Sequence, residues 1–154
     1  MSTSASKIQE LRYNRMAEIT RWLANSCLIF IFAGAALDKW LNFPQFANAL
    51  SDYALVPSGY APTVAIFLAL FELWLAIGLA FPVWRKMAAG LTAATLLVYA
   101  AALLVNSYFG ILAPCGCWFS IALRESTGLH VVFDLLLSGF AVTVWKDAST
   151  KKGT

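Results

Sequence analysis

Charged residues are scarce in this sequence, and their scarcity indicates its class. Asp, Glu, Lys and Arg make up 12% of the 154 residues, about half of the fraction that is usual for a water-soluble domain. The mean hydropathy is +0.71, and the apolar residues fall in long runs rather than in an amphipathic rhythm. The composition therefore predicts a protein that lies in a lipid bilayer, and at this length a single bundle.

Other missing features exclude several classes of function. The chain has one histidine, which excludes a haem or zinc site built from several histidines. No stripe of Lys and Arg is interleaved with aromatic residues, so we expect no nucleic-acid partner. No phosphate loop, metalloprotease motif or nucleophile elbow occurs. We expect no bound metal, and no cofactor is evident except a quinone that the membrane could supply.

Four apolar runs are long enough to cross a bilayer as helices. They predict an all-α, polytopic membrane four-helix bundle with spans at about 22–40, 62–81, 87–112 and 129–145. The polar segment 1–21 precedes the bundle, and its part 8–21 could form a short interfacial helix. The tail 146–154 follows it, and the stretch 42–61 and the loop 113–128 connect spans.

The first apolar run could also be the core of a signal peptide. The run Leu23–Ala36 is apolar, and Ala33-Gly34-Ala35 imitates a cleavage site. However, a long polar segment containing Glu10 and Glu18 precedes it. We therefore expect this run to be retained as a spanning helix.

The basic residues predict the orientation of the bundle. If the N-terminus is cytoplasmic, only Lys39 and Arg124 of the eleven basic residues lie outside, which is a strong positive-inside bias. Both termini are then cytoplasmic, and the loop 113–128 faces the periplasm of a bacterial inner membrane. The nine inside residues are Lys7, Arg12, Arg15, Arg21, Arg85, Lys86, Lys146, Lys151 and Lys152.

That loop carries Cys115 and Cys117, separated by Gly116. Glycine permits the tight turn that two nearly adjacent thiols require, and the periplasm tolerates disulfides. A disulfide across one residue closes a strained ring, which makes it a weak staple but an oxidising redox pair. Inert thiols and a soft-metal site, such as one for copper, are the alternatives. The metal site is disfavoured because all three methionines lie toward the cytoplasmic side.

Polar residues inside the predicted spans are further candidates. Glu72 lies near the bilayer midplane, where a carboxylate is costly. Lys39 is its nearest candidate partner, but ideal helices place the lysine about 15 Å nearer the outer surface. The two could form a proton or quinone-head-group site, or an interhelical contact that fixes the bundle.

His130 and Asp134 share a face of the fourth span because they are four residues apart. His130 could hold a thiolate or move its proton, so it joins Cys115 and Cys117 as a candidate catalytic residue. A structural role for both is the alternative. Cys27, in the first span, is expected to be a small buried residue.

These features resemble the MauE branch of the DoxX-like membrane proteins, over about residues 24–145. The family motif usually reads Cys-Gly-Cys-Phe-Gly, whereas this chain has Trp118, Phe119 and Ser120 after the cysteines. The other matching residues are Ala33-Gly34, Lys39, Phe46, Tyr53-Ala54-Leu55-Val56-Pro57, Glu72 and Gly78. The resemblance implies periplasmic redox chemistry, such as disulfide formation in the small subunit of methylamine dehydrogenase, or quinone-coupled oxidation as in DoxX relatives.

Two functions are therefore weighed. In the first, the Cys115–Cys117 disulfide accepts electrons from a periplasmic thiol protein or thioredoxin-like carrier, and a quinone removes them while Glu72 or His130 handles protons. In the second, the chain is a small non-catalytic subunit that anchors a larger membrane complex, and its cysteines are incidental.

Overall fold

The protein is a bundle of helices, seen here in a computed structural model that describes residues 2–51, 56–110 and 127–150. Within those ranges the regular elements are α1 (Ser2–Leu41), α2 (Phe43–Ser51), α3 (Ala61–Ala80), α4 (Arg85–Tyr108) and α5 (Thr127–Thr150). A short 3-10 turn, Ser58–Tyr60, precedes α3. The predicted all-α class is confirmed.

Four of these helices are long and apolar enough to cross a membrane, as predicted. The spanning segments are Arg15–Leu41, Ala61–Ala80, Arg85–Tyr108 and Gly128–Ser149. They form a ring in the order α1, α3, α4, α5, and each packs against two neighbours. Consecutive spans run in opposite directions. Because the four helices surround a common axis, their buried side chains form a core along that axis.

Helix α1 is longer than the sequence predicted. It is one continuous helix of 40 residues, whereas the sequence predicted a first span from residue 22 and allowed a separate short helix before it. The physical reason is visible in the sequence: no glycine or proline occurs before Gly34, so nothing interrupts the backbone hydrogen bonds where the polar segment meets the apolar run.

The stretch 42–61, which connects the first two spans, contains the helix α2. Pro44 lies in the first turn of this helix, a position where its missing N–H leaves no bond unmade. Ala47 and Leu50 of α2 are buried against Ala61 and Ala65 of α3. Helix α2 therefore covers the N-terminal end of α3.

Small residues allow the spanning helices to approach closely. Alanines are buried along α3 and α4, and a Cβ atom at Gly78 would lie 2.8 Å from the Cβ of Ala88. Such close contact between backbones is how helices associate in lipid, where apolar burial contributes little. Ser138 of α5 also donates a hydrogen bond to the Ala93 carbonyl of α4, at 3.3 Å.

The outer surface of the ring is apolar, as a lipid-facing surface must be. Large side chains such as Phe30, Phe67 and Val98 are well exposed on it. Cys27 is exposed on the same surface, so the expectation that it is buried is wrong. A small thiol is apolar enough for lipid, and hydrophobic patterning cannot distinguish a lipid-facing position from a core position when both are apolar.

One end of the bundle gathers basic residues, and we call it the basic end. There Arg21 of α1 pairs with Asp147 of α5 at 2.8 Å, while the side chains of Asn25 and Arg85 donate to the Leu79 carbonyl at the end of α3. The opposite end, where α1 and α4 finish and α3 and α5 begin, is called the loop end. Which end faces the cytoplasm stays a prediction.

Candidate functional site

A buried ion pair joins α1 to α3 inside the bundle. The Lys39 Nζ donates to Glu72 Oε2 at 2.7 Å, and the two side chains are 2% and 1% exposed. The sequence predicted both residues as candidates but left their pairing open. The structure brings them together.

The pairing follows from the direction in which helical side chains point. Asn25 contacts Leu79 at the basic end, and counting along the two helices from there puts the Lys39 Cα about 10 Å closer to the loop end than the Glu72 Cα. Because α1 and α3 are antiparallel and side chains lean toward the N-terminus of their own helix, Lys39 and Glu72 lean toward each other. Two long side chains span the remaining distance.

Tyr99 of α4 completes the hydrogen bonding of Glu72. Its Oη donates to Glu72 Oε1 at 2.9 Å, so each carboxylate oxygen accepts a bond from a different helix. The sequence analysis missed Tyr99 because a tyrosine in an apolar run looks like any other large apolar residue. One signal was available in the sequence. Tyr99 is three residues after Leu96 and four before Leu103, so it lies on the same helical face as these two buried leucines and points toward the interior.

Helix α2 closes the site on the side of the loop end. The ring of Phe46 lies with its centroid 5.1 Å from Lys39 Nζ, a distance at which an ammonium group is attracted to an aromatic face. Lys39 therefore meets a carboxylate on α3 and an aromatic ring on α2. These contacts fix the short helix to the bundle as well as the ammonium group to its site.

Helix α5 adds Asp134 and His130 to the interior. Asp134 is fully buried and His130 is 7% exposed, so the predicted shared face of this pair points into the bundle. Glu72, Tyr99 and Asp134 line one cavity of about 10 Å³, together with apolar side chains of α1, α4 and α5. All four spanning helices therefore contribute to a polar centre in an otherwise apolar bundle.

The electrostatics of this centre are demanding. A carboxylate and an ammonium removed from water each lose several kcal/mol of solvation, and their attraction compensates only when the geometry is good and further hydrogen bonds are made. Both conditions hold for Lys39 and Glu72. The arrangement can hold charges firmly at membrane depth, and it can pass a proton between neighbouring oxygens.

The predicted cysteine pair, Cys115 and Cys117, lies outside the described residues. The described chain stops at Gly110 after α4 and resumes at Thr127 with α5. Their role as catalytic residues, and that of His130, stays a prediction from the sequence.

Comparisons with known proteins give consistent matches. A family model described as "Methylamine utilisation protein MauE" matches residues 17–146. The methylamine utilization protein MauE of Paracoccus denitrificans is 30% identical over 124 residues, which cover 80% of this chain and 67% of that protein. The protein of the same name from Methylophilus methylotrophus is 29% identical over 123 residues, covering 79% and 65%. The chain thus spans about two thirds of the length of these relatives. No solved structure matches it significantly.

Proposed function

Because the chain belongs to the MauE family, we propose that it is a multi-pass membrane protein of a methylamine utilisation system that exchanges disulfides with a periplasmic partner. The Cys115–Cys117 pair performs the exchange in this proposal. The partner is a periplasmic thiol protein that acquires its disulfide in this way, or a thioredoxin-like carrier.

The buried polar centre is the observation that carries the proposal beyond family membership. Ionisable residues at membrane depth are costly and usually belong to working sites, such as proton or substrate paths. A bundle that only anchored a larger complex could be held together by alanine packing alone. Here buried Lys39, Glu72 and Asp134 meet partly buried Tyr99, and the four residues come from four different helices.

The exchange itself is ordinary thiol–disulfide chemistry. A partner thiolate attacks one sulfur of the Cys115–Cys117 disulfide and forms a mixed disulfide, and the second partner thiolate then displaces that sulfur. The partner gains a disulfide, and Cys115 and Cys117 become thiols. A membrane quinone would supply the oxidant that restores the disulfide, since its reduction to a quinol would take up the two electrons and two protons that the two thiols release. His130, in the first turns of α5, holds or moves a proton of the thiols.

Redox trapping in intact cells tests this function. We expect alkylation of cells growing on methylamine to reveal an oxidised Cys115–Cys117 fraction. In the single variant Cys117→Ser, the Cys115 thiolate can still attack the disulfide of the oxidised partner, which is the reverse of the exchange, so we also expect a mixed disulfide between Cys115 and the partner. The double variant Cys115→Ser, Cys117→Ser should lose most growth on methylamine. Cys27→Ser is the matched control, because it removes a thiol from the lipid-facing surface and should grow normally.

Two results would contradict the proposal. The first is a pair that stays reduced under every growth condition. The second is a double variant that grows like the wild type while the protein co-purifies at fixed stoichiometry with a large membrane complex. That second result would favour the anchoring role instead.

A further inference from the structure

Four side chains that can carry or pass a proton lie between the middle of the bundle and its loop end. They are Glu72 on α3, Tyr99 on α4, and His130 and Asp134 on α5. Glu72, His130 and Asp134 are at most 7% exposed, and Tyr99 is partly buried. The ion pair of Lys39 with Glu72 explains one of these burials. It does not explain why α4 and α5 bring polar groups to the same region.

The register of α4 and α5 places Tyr99 and Asp134 at one depth. Ser138 bonds to the Ala93 carbonyl, and the two helices are antiparallel. Moving from that contact toward the loop end reaches Tyr99 on one helix and Asp134 on the other, at depths that agree within about 3 Å. His130 lies one turn nearer the loop end, since it precedes Asp134 by four residues.

A cavity links these groups to Glu72. Its volume of about 10 Å³ is close to the least that holds one water molecule. Glu72, Tyr99 and Asp134 line it, and the remaining lining residues are apolar. Tyr99 Oη already donates to Glu72 Oε1 at 2.9 Å. A single water molecule beside Asp134 and Tyr99 would make the chain of hydrogen bonds continuous.

We propose that Asp134, Tyr99 and Glu72 form a proton relay that connects the loop end of the bundle to the buried Lys39–Glu72 pair. Asp134 gives a proton to the cavity water, the water gives one to Tyr99 Oη, and the tyrosine gives its own proton to Glu72 Oε1. One O–H bond breaks and one forms at each step, so the net change is one proton moved from Asp134 to Glu72. The relay rests on the proposed function for its use, because oxidation of two thiols releases two protons.

The buried titratable groups around the relay lie at its own depth or toward the loop end of the bundle. The titratable groups that face it are Lys39 from α1, Tyr99 from α4, and His130 from α5 beside Asp134, while α2 contributes the ring of Phe46. Further along, Asn106 of α4 is 2% exposed, and neither atom of its amide has a hydrogen-bond partner within the described residues. A buried amide normally needs such a partner. Polar groups therefore continue from the relay toward the end of α4.

Infrared spectroscopy after a rapid pH jump tests the relay in the purified full-length protein in lipid nanodiscs. The carboxyl band that disappears in Glu72→Gln is assigned to Glu72. In Tyr99→Phe and in Asp134→Asn we expect this band to respond at least about tenfold more slowly, a loss in line with that of a positioned proton-transfer group. Asp134→Glu, which keeps a carboxyl, should restore most of the rate.

Tyr108→Phe is the matched control, because Tyr108 is 87% exposed at the end of α4 and its variant should keep the wild-type rate. Unchanged rates in folded Tyr99→Phe and Asp134→Asn proteins would overturn the relay, and so would a Glu72 band that never responds to pH. The measurement is repeated in the Cys115→Ser, Cys117→Ser protein, where the relay should be intact. The infrared rate thus reports the relay without the cysteine pair, while redox trapping in cells reports thiol exchange, so the failure of one can be distinguished from the failure of the other.

Discussion

At the scale of single residues, the buried charges of Lys39 and Glu72 depend on each other. Each charge is stabilised mainly by the other, because neither side chain reaches water. Removing one partner from such a pair leaves an uncompensated charge in a medium that solvates it poorly. Replacing both partners by neutral groups removes the charges together and avoids most of that loss.

We therefore expect Lys39→Met to lower the free energy of unfolding by about 3 kcal/mol, and the double variant Lys39→Met, Glu72→Gln to recover most of the loss. Glutamine keeps an oxygen that can accept the hydrogen bond from Tyr99. Thermal unfolding of the purified protein in detergent provides the measurement, with the four combinations of the two changes compared as a cycle.

The surface pair at the basic end is the control for this cycle. The Arg21 and Asp147 side chains are 47% and 19% exposed, and exposed pairs contribute at most about 1 kcal/mol. Arg21→Met should therefore have a small effect. Equal losses for Lys39→Met and Arg21→Met would show that burial of the inner pair does not control its energy.

Sequence reasoning found the charged residues of the site but not their connections. Glu72 and Lys39 are conspicuous because charges are rare in apolar runs. Their pairing depends on the relative height of two helices and on the lean of their side chains, which residue spacing within one helix does not contain. Tyr99 was missed for a related reason: the hydroxyl of a tyrosine becomes informative only when its partner across the bundle is known.

At the scale of helices, the contact between α3 and α4 is controlled by Gly78. A Cβ atom there would come within 2.8 Å of the Ala88 Cβ, closer than two carbon atoms can pack. The two helices are joined by a short turn, so they cannot separate at this level without disturbing the Leu79 carbonyl that Asn25 and Arg85 contact.

For this reason Gly78→Ala should destabilise the bundle by about 1–3 kcal/mol, the usual effect of overpacking. Gly139→Ala introduces the same methyl group in α5, where nothing lies within 4 Å of the added Cβ. This second change should leave stability unaltered or raise it by up to about 1 kcal/mol, because alanine favours helix. Thermal midpoints of both variants decide the matter, and a Gly78→Ala protein as stable as Gly139→Ala would refute the close contact.

The spanning helices were predictable because a single physical requirement determines their length. A bilayer of fixed thickness needs about 20 apolar residues in each crossing helix, so the apolar run length identified all four spans. Helix α2 was missed since its nine residues follow the local rules of capping and amphipathicity, which the polar residues around Pro44 obscured. The sequence placed the start of the first helix too late. The change from polar to apolar residues marks where the helix enters the membrane, but the helix itself begins earlier, at Ser2.

At the scale of the whole molecule, the remaining question is the direction in which the bundle crosses the membrane. Arg21, Arg85 and Lys86 lie toward the basic end. Inner-membrane proteins usually keep such residues in the cytoplasm. The loop end, which leads to Cys115 and Cys117, would then face the periplasm.

Thiol labelling in intact cells tests this orientation. After mild reduction, a membrane-impermeant maleimide should modify Cys115 and Cys117 in a Cys27→Ser background at a rate close to that of a permeant reagent. Modification that occurs only after the cells are broken would reverse the assignment. A protein that keeps only Cys27 should resist the impermeant reagent in both conditions, because that thiol faces lipid.

The uninterrupted length of α1 couples two distant parts of the molecule mechanically. Residues 2–14 precede its spanning segment, and at the rise of an α-helix they extend about 20 Å beyond it. The same rigid rod carries Lys39 near its other end. Because the helix is continuous through both parts, a tilt of the protruding part also displaces the backbone at Lys39.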